Sequence, residues 1–314
     1  MTTGSDKIIE FQEMLVDRKS LKSINYIKVD REKYIHDHVN SLNYRGLEFD
    51  NNEILTLGCS QTWGYAMDYE FLWPTLIMNR FKKNVSNIAV PGDSLQAQII
   101  KAFTYFKEIG NPKIIIGVLP FARFEFPYIK NKMIFQTMQP HVPTEKMKSS
   151  FIANAYVPYT LDKYDTKITY TKTPHILDEI FTIEMAMFYN DSFIAILEQY
   201  CKANDIKIIW TFWENLNPPI NKLFINSYDG YFQINRNMPQ FTMRQIKTFK
   251  SAPEYNLSDF MGLCKDDYFS SLIYKNINHE CILSAKDKNH FGILDHIFIA
   301  DAICDQLKNR FGIE

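Results

Sequence analysis

The stretch "EILTLGCSQTWGYAM", residues 53–67, sets the reading of the whole chain. A short apolar run closes on Gly58, as a strand buried in a parallel sheet does, and "WPTLIMNRF" (73–81) follows with the spacing of a helix packed on that strand. Cys59 and Ser60 lie side by side at the join.

Working outward, the alternation repeats. "NVSNIAV" reads as a second strand. "PGDSLQAQIIKAFTYFKEIG" opens with a turn, offers Asp93 as helix N-cap with Gln96 three residues on, and ends at Gly110. Leu95, Ile99, Phe103 and Phe106 fall on one face of that helix. "PKIIIGVLP" is a third strand, "DSFIAILEQYCKAND" a helix, and "IKIIWTFW" a fourth strand. "GILDHIFIADAICDQLKNRF" closes the chain with Ile293, Ile297, Ala300 and Ile303 on one face. Strands alternating with helices at these lengths predict an α/β domain whose parallel sheet is covered on both sides.

The organisation expected is an N-terminal extension over residues 1–48 and a single α/β domain over 49–314. Two long insertions, 124–175 and 214–280, are rich in Tyr, Asn, Thr and Pro. They follow the third and fourth strands, where loops border the ligand crevice of an open parallel sheet, so they are candidate substrate walls or a lid. Surface elaboration or an oligomer contact is the plainer alternative.

Composition narrows the class. The chain has 314 residues, 46% of them hydrophobic and 15% aromatic, enough for a substantial core. Lys plus Arg (35) nearly cancels Asp plus Glu (36), so no electrostatic grip on nucleic acid or an anionic membrane is expected. The N-terminus lacks the pattern of a secretory signal, and no run of about 18 apolar residues is present to span a bilayer. A cytoplasmic location is the default expectation. Five widely spaced cysteines with no CxxC pair point to reduced thiols rather than a disulfide framework or zinc site.

A serine hydroxyl attacks only when a base takes its proton and a third group orients that base. "AKDKNHFGILDH" (285–296) supplies both: Asp287 and His290 are three residues apart, just before the last helix. The carboxylate can hold one ring nitrogen while the other faces a serine. Donors for a tetrahedral oxyanion are also needed. Ser60, opening a helix after a strand, offers its backbone N–H, and Gly92, just past the second strand, offers another.

Taken together, Gly58-Cys59-Ser60, the "NIAVPGDS" stretch with Gly92, and Asp287-Lys288-Asn289-His290 resemble the first, second and fifth sequence blocks of the SGNH, or GDSL-like, hydrolases. The resemblance covers residues 53–126 and 284–308. It implies a flavodoxin-like three-layer α/β/α sandwich. It also implies esterase, lipase or carbohydrate deacetylase chemistry, with Ser60 as nucleophile, His290 as general base, Asp287 as its partner and Gly92 as an oxyanion donor. Two departures stand out. Cys59 occupies the place of the family's usual aspartate. The third block's asparagine is absent: the third strand runs into "GVLPFARFEF", where Arg123 is the nearest candidate donor. Losing one oxyanion donor costs about 10²- to 10³-fold in rate, so this gap bears on activity. An ion pair with Glu125 is the plainer role for Arg123.

Competing readings are weighed on the same terms. Cys59 ends a buried strand, where a thiol usually packs as a small apolar residue, and its side chain points away from its neighbour's. Asp93 and Ser94, the literal "GDS", are better explained by helix capping. His296 and Asp295 are helix neighbours pointing about 100° apart, so neither orients the other. "HDH" at 36–38 lacks further ligands nearby for a metal. Trp210 and Trp213 both suit core packing, with sugar or acyl-chain stacking, as a substrate-binding residue, the alternative for Trp213.

The expectation is a serine esterase acting through an acyl-enzyme on a small-molecule or carbohydrate ester, with O-deacetylation preferred and no cofactor or metal required. Activity should fall as His290 protonates. The alternatives are an O-acyltransferase, or a catalytically silent module of the same fold used for binding or structure, for example in a phage particle. Oligomeric state is left open.

Overall fold

The computed structural model describes residue 21 and residues 38–49, 53–91, 93–118, 124–129, 133–139, 152–156, 183–211, 264–287 and 290–314. In chain order, β1 (Ile54–Leu57) leads into the short helix α1 (Ser60–Trp63), a 3₁₀ turn (Tyr69–Phe71) and α2 (Trp73–Phe81). β2 (Val85–Asn87), α3 (Leu95–Glu108) and β3 (Ile114–Val118) follow. Next come β4 (Phe124–Ile129), β5 (Met133–Gln139), β6 (Ile152–Tyr156) and α4 (Ile183–Ala203). β7 (Lys207–Thr211), α5 (Asp267–Asn276) and α6 (Ile293–Phe311) complete the described elements.

β1, β2, β3 and β7 form one parallel sheet in the order β2-β1-β3-β7. Alternation along the strands distributes the core to two faces. Ile54, Ile114, Ile116, Val118 and Ile209 join a cluster with α2, α5 and α6. Leu55, Leu57, Ile115 and Trp210 join another with α3 and α4. This is the expected three-layer α/β/α sandwich. β1, β3 and β7 carry apolar residues on both sides because each side carries helices.

Helix faces follow the same logic. Ile293, Ile297, Ala300 and Ile303 of α6 are all fully buried. On α3, Leu95, Ile99 and Phe106 are buried, while Phe103 is partly buried against the same cluster. Trp210 is core, as expected. A Cβ on Gly117 would lie 2.2 Å from its ring, and its indole N–H donates to Glu198 at 2.8 Å.

One local expectation is corrected. The N-cap of α3 is Ser94, whose hydroxyl accepts the Ala97 N–H at 3.1 Å, and not Asp93. Asp93 lies one residue further out and pairs with Lys101, both side chains being fully buried. Gln96, which would have closed a capping box with Asp93, donates to Asn190 on α4 at 3.0 Å. A buried lysine needs a carboxylate, and that demand outweighs a cap that a serine can supply equally well.

The chain passes from β1 to β2 on one side and then crosses back to β3 on the other, so the switch point of the sheet lies at the carboxyl ends of β1 and β3. Ligand crevices of open α/β sheets form there. The 124–175 insertion begins beyond β3 and carries an antiparallel three-stranded sheet, β4-β5-β6, with β4 beside α3 and α4. The second insertion returns through α5, whose Phe269 and Ile273 are buried in the core. Tyr44 and Arg45, preceding β1, are wholly buried. No described helix is long and apolar enough to cross a membrane.

Candidate active site

Ser60 is the first residue of α1, directly past the carboxyl end of β1 and half-buried. At that position its backbone N–H has no carbonyl within the helix to bond, which suits it to an anion. Cys59 is the N-cap residue and is buried, so the two neighbours divide as expected. All five thiols are free. Burial raises the thiols of Cys201 and Cys264 to about 12, and those of Cys281 and Cys304 upward as well, so these four stay protonated and unreactive at neutral pH.

The turn is held by close approach and by buried polar groups. A Cβ on Gly58 would lie 1.9 Å from Thr62 Oγ1 and 2.4 Å from Thr62 Cβ, so only glycine lets α1 fold back over the strand end. Asn87, at the end of β2, donates to the Thr62 carbonyl at 3.0 Å. Its Oδ1 accepts the Ala89 N–H at 3.1 Å and lies 3.2 Å from the Thr56 hydroxyl. Arg45 is buried against the Trp63 ring, 5.2 Å from its centroid, and donates to the carbonyls of Gly64 at 2.5 Å and Met67 at 2.6 Å. Asn87→Ala should strand the buried Thr62 carbonyl and Ala89 N–H at ~1–3 kcal/mol each. A denaturation midpoint lowered accordingly is expected, and an unchanged midpoint would contradict this role.

Some 230 residues later, Asp287 and His290 form the pair expected of them. Asp287 Oδ2 lies 2.6 Å from His290 Nδ1, and Oδ1 accepts the His290 backbone N–H at 3.1 Å. The carboxylate therefore grips both ring and main chain. Side-chain exposure is 7% for Asp287 and 22% for His290, which leaves the imidazole reachable while its partner is shielded.

The structure brings this pair against the Ser60 turn. Gln61 Oε1 accepts the Phe291 N–H at 3.0 Å, joining the residue after Ser60 to the residue after His290. The Tyr65 ring lies 4.9 Å from the His290 ring, and Ala66 O accepts the Lys286 N–H at 3.0 Å. Lys286 also pairs with Asp68 at 2.5 Å. Gly92, Arg123 and Trp213 lie outside the described residues, as do Lys288 and Asn289. Sequence reasoning missed Asn87, Arg45 and Gln61. No local pattern marks them, because their partners are backbone groups brought near only by the fold.

His296 has a separate task. Buried in α6, it accepts the Trp73 N–H on Nδ1 at 3.3 Å, fastening α6 to the start of α2. Burial, then the charges of Arg45 and His290, lower its pKa from 6.5 to about 3. The unfolded chain therefore takes up a proton between those values that the folded chain refuses. Stability falls as pH drops through that window, by up to ~1.4 kcal/mol per unit. Asp295, whose carboxyl burial pushes upward, acts in the opposite sense, so the comparison with a variant isolates His296. His296→Asn, which keeps an acceptor but does not titrate, should show a shallower loss of Tm between pH 6.5 and pH 4. Parallel Tm profiles for the two proteins would refute this.

Fold and residues together define a doubly wound α/β domain with a serine turn at its switch point and a carboxylate–imidazole pair docked on that turn. No family model and no curated protein matches the chain. Solved structures are similar to it. TesA aligns with a TM-score of 0.36 and 11% identity over 82% of this chain and 98% of its own. A lipolytic protein of the G-D-S-L family from Desulfitobacterium hafniense aligns with a TM-score of 0.33 and 10% identity, over 81% and 98%. An acetyl xylan esterase from the rumen bacterium Butyrivibrio proteoclasticus gives 0.38 and 11%, over 86% and 67%.

Proposed function

We propose that this chain is a serine ester hydrolase of the SGNH type. His290 takes the Ser60 proton on its free ring nitrogen as Ser60 Oγ bonds to the ester carbonyl carbon. The oxyanion is met by the Ser60 N–H, with Gly92 and Arg123 as further donors. Collapse of the tetrahedral intermediate breaks the bond to the alcohol oxygen, which leaves with the proton from His290. Water, deprotonated in turn by His290, then releases the acid and restores Ser60. A small acyl group, such as acetate on a carbohydrate, is the substrate class we favour.

The observation that carries this reading is the 2.6 Å contact of Asp287 with His290 Nδ1, on a segment hydrogen-bonded to the residue next to Ser60. A carboxylate so placed favours the tautomer with the proton on Nδ1, which leaves the other ring nitrogen to act as the base. A fluorophosphonate probe should label the protein at Ser60, with hydrolysis of p-nitrophenyl acetate under the same conditions. No labelling and no turnover would leave the silent module as the better account. Transfer of the acetyl group to an added alcohol in preference to water would make the enzyme an acyltransferase.

A further inference from the structure

We propose that Gln61 is a positioning residue that sets the spacing between the Ser60 nucleophile and the His290 base. This rests on the function proposed above. Gln61 is the second residue of α1 and does not pack in the core. Its side-chain oxygen reaches across to the Phe291 N–H at 3.0 Å, in a partly buried setting. Chain connectivity then does the rest. Ser60 is one peptide from Gln61 and His290 one peptide from Phe291, so a single side-chain hydrogen bond spans the two reacting segments at their closest covalent neighbours.

Besides the packing of the Tyr65 ring 4.9 Å from the His290 ring, the other ties between the segments act elsewhere. The Ala66 O to Lys286 N–H bond and the Lys286–Asp68 pair grip the far ends of both turns. Asp287 orients His290 within its own segment. Phe291 is also half of an isolated antiparallel bridge with Ser284, and the His290 carbonyl accepts the Ala285 N–H at 3.1 Å. The base therefore sits next to this bridge, and Gln61 hydrogen-bonds Phe291, the residue after it, to the nucleophile turn. Because rate depends steeply on the geometry of reacting groups, a displacement of about 1 Å costs on the order of 10²-fold.

The test compares Gln61→Leu, which keeps the shape and removes the acceptor, with Gln61→Glu, which keeps an oxygen in place. For Gln61→Leu, kcat on p-nitrophenyl acetate should fall roughly 10- to 100-fold with KM nearly unchanged, and fluorophosphonate labelling should slow in step. Gln61→Glu should recover most of that loss. Amide exchange at Phe291 gives a readout independent of activity, and should quicken in Gln61→Leu but not in Gln61→Glu. If the wild type is active and Gln61→Leu keeps its kcat, or Gln61→Glu fails to restore it, the positioning role is overturned and the esterase reading stands. Unaltered Phe291 exchange in Gln61→Leu overturns the role whatever the activity. A wild-type protein inert to both probes instead removes the proposed function, and this inference with it.

Discussion

Ser60→Ala is expected to lower ester hydrolysis on the order of 10⁴-fold or more and to abolish fluorophosphonate labelling. Under the proposed function the loss is large because nucleophile and base act as a unit: without the hydroxyl, the Asp287–His290 pair would have no group to activate, and only binding and oxyanion donors would remain. The effect should be confined to chemistry. Ser60 is half-buried and its hydroxyl holds no hydrogen bond among the described residues, so Tm should stay close to that of the wild type. Cys59→Ala is the matching control. Cys59 is buried one residue earlier, and its removal should leave labelling intact. Labelling that survived in Ser60→Ala and vanished in Cys59→Ala would reverse the assignment.

Gly292→Ala should damage the folded state severely. The φ of Gly292, −86°, suits any residue, so the difficulty is one of space. An added Cβ would lie 2.4 Å from Leu283 C and Ser284 N and 2.8 Å from Cys281 O, all backbone atoms that cannot rotate away. The start of α6 must retreat, which breaks two bonds that satisfy its first turn: Ile293 N–H to Cys281 O at 3.0 Å and Leu294 N–H to Ile282 O at 3.1 Å. Overpacking and the orphaned amides together should cost about 3 kcal/mol or more. Because His290 lies two residues upstream, kcat should fall as well, even where the variant remains folded. A thermal or urea melt reads the first effect and p-nitrophenyl acetate turnover the second. A melt matching the wild type would show that the 281–284 backbone yields freely, contrary to this account.

Much of the architecture is legible in the amino-acid sequence. "EILTLG", "KIIIGV" and "KIIWT" announce buried parallel strands because both sides of each must be apolar, and α6 announces its buried face through Ile293, Ile297, Ala300 and Ile303. Asp287 and His290 are legible as a pair for a local reason. Three residues apart on one turn, they meet without help from the rest of the fold. The three-stranded sheet in the 124–175 insertion is not legible in this way, since its strands, with Pro127 inside β4, show only weak apolar–polar alternation.

The cap of α3 shows where local rules stop. Asp93 and Ser94 are equally good candidates by residue type, and the choice is made by Lys101, two turns along and buried beside Asp93. Asn87, Arg45 and Gln61 are further cases. Each serves a backbone group at a distance in the chain, and a polar side chain carries no mark of which carbonyl or amide it will meet. What the sequence determined alone was the four parallel strands and the helices that alternate with them, their apolar faces and the short-range carboxylate–imidazole pair, all set by periodicity and neighbouring positions. Tertiary structure alone decided which buried polar groups satisfy one another and how the Ser60 turn meets the His290 loop, because buried backbone groups must find partners and only packing determines which lie within reach.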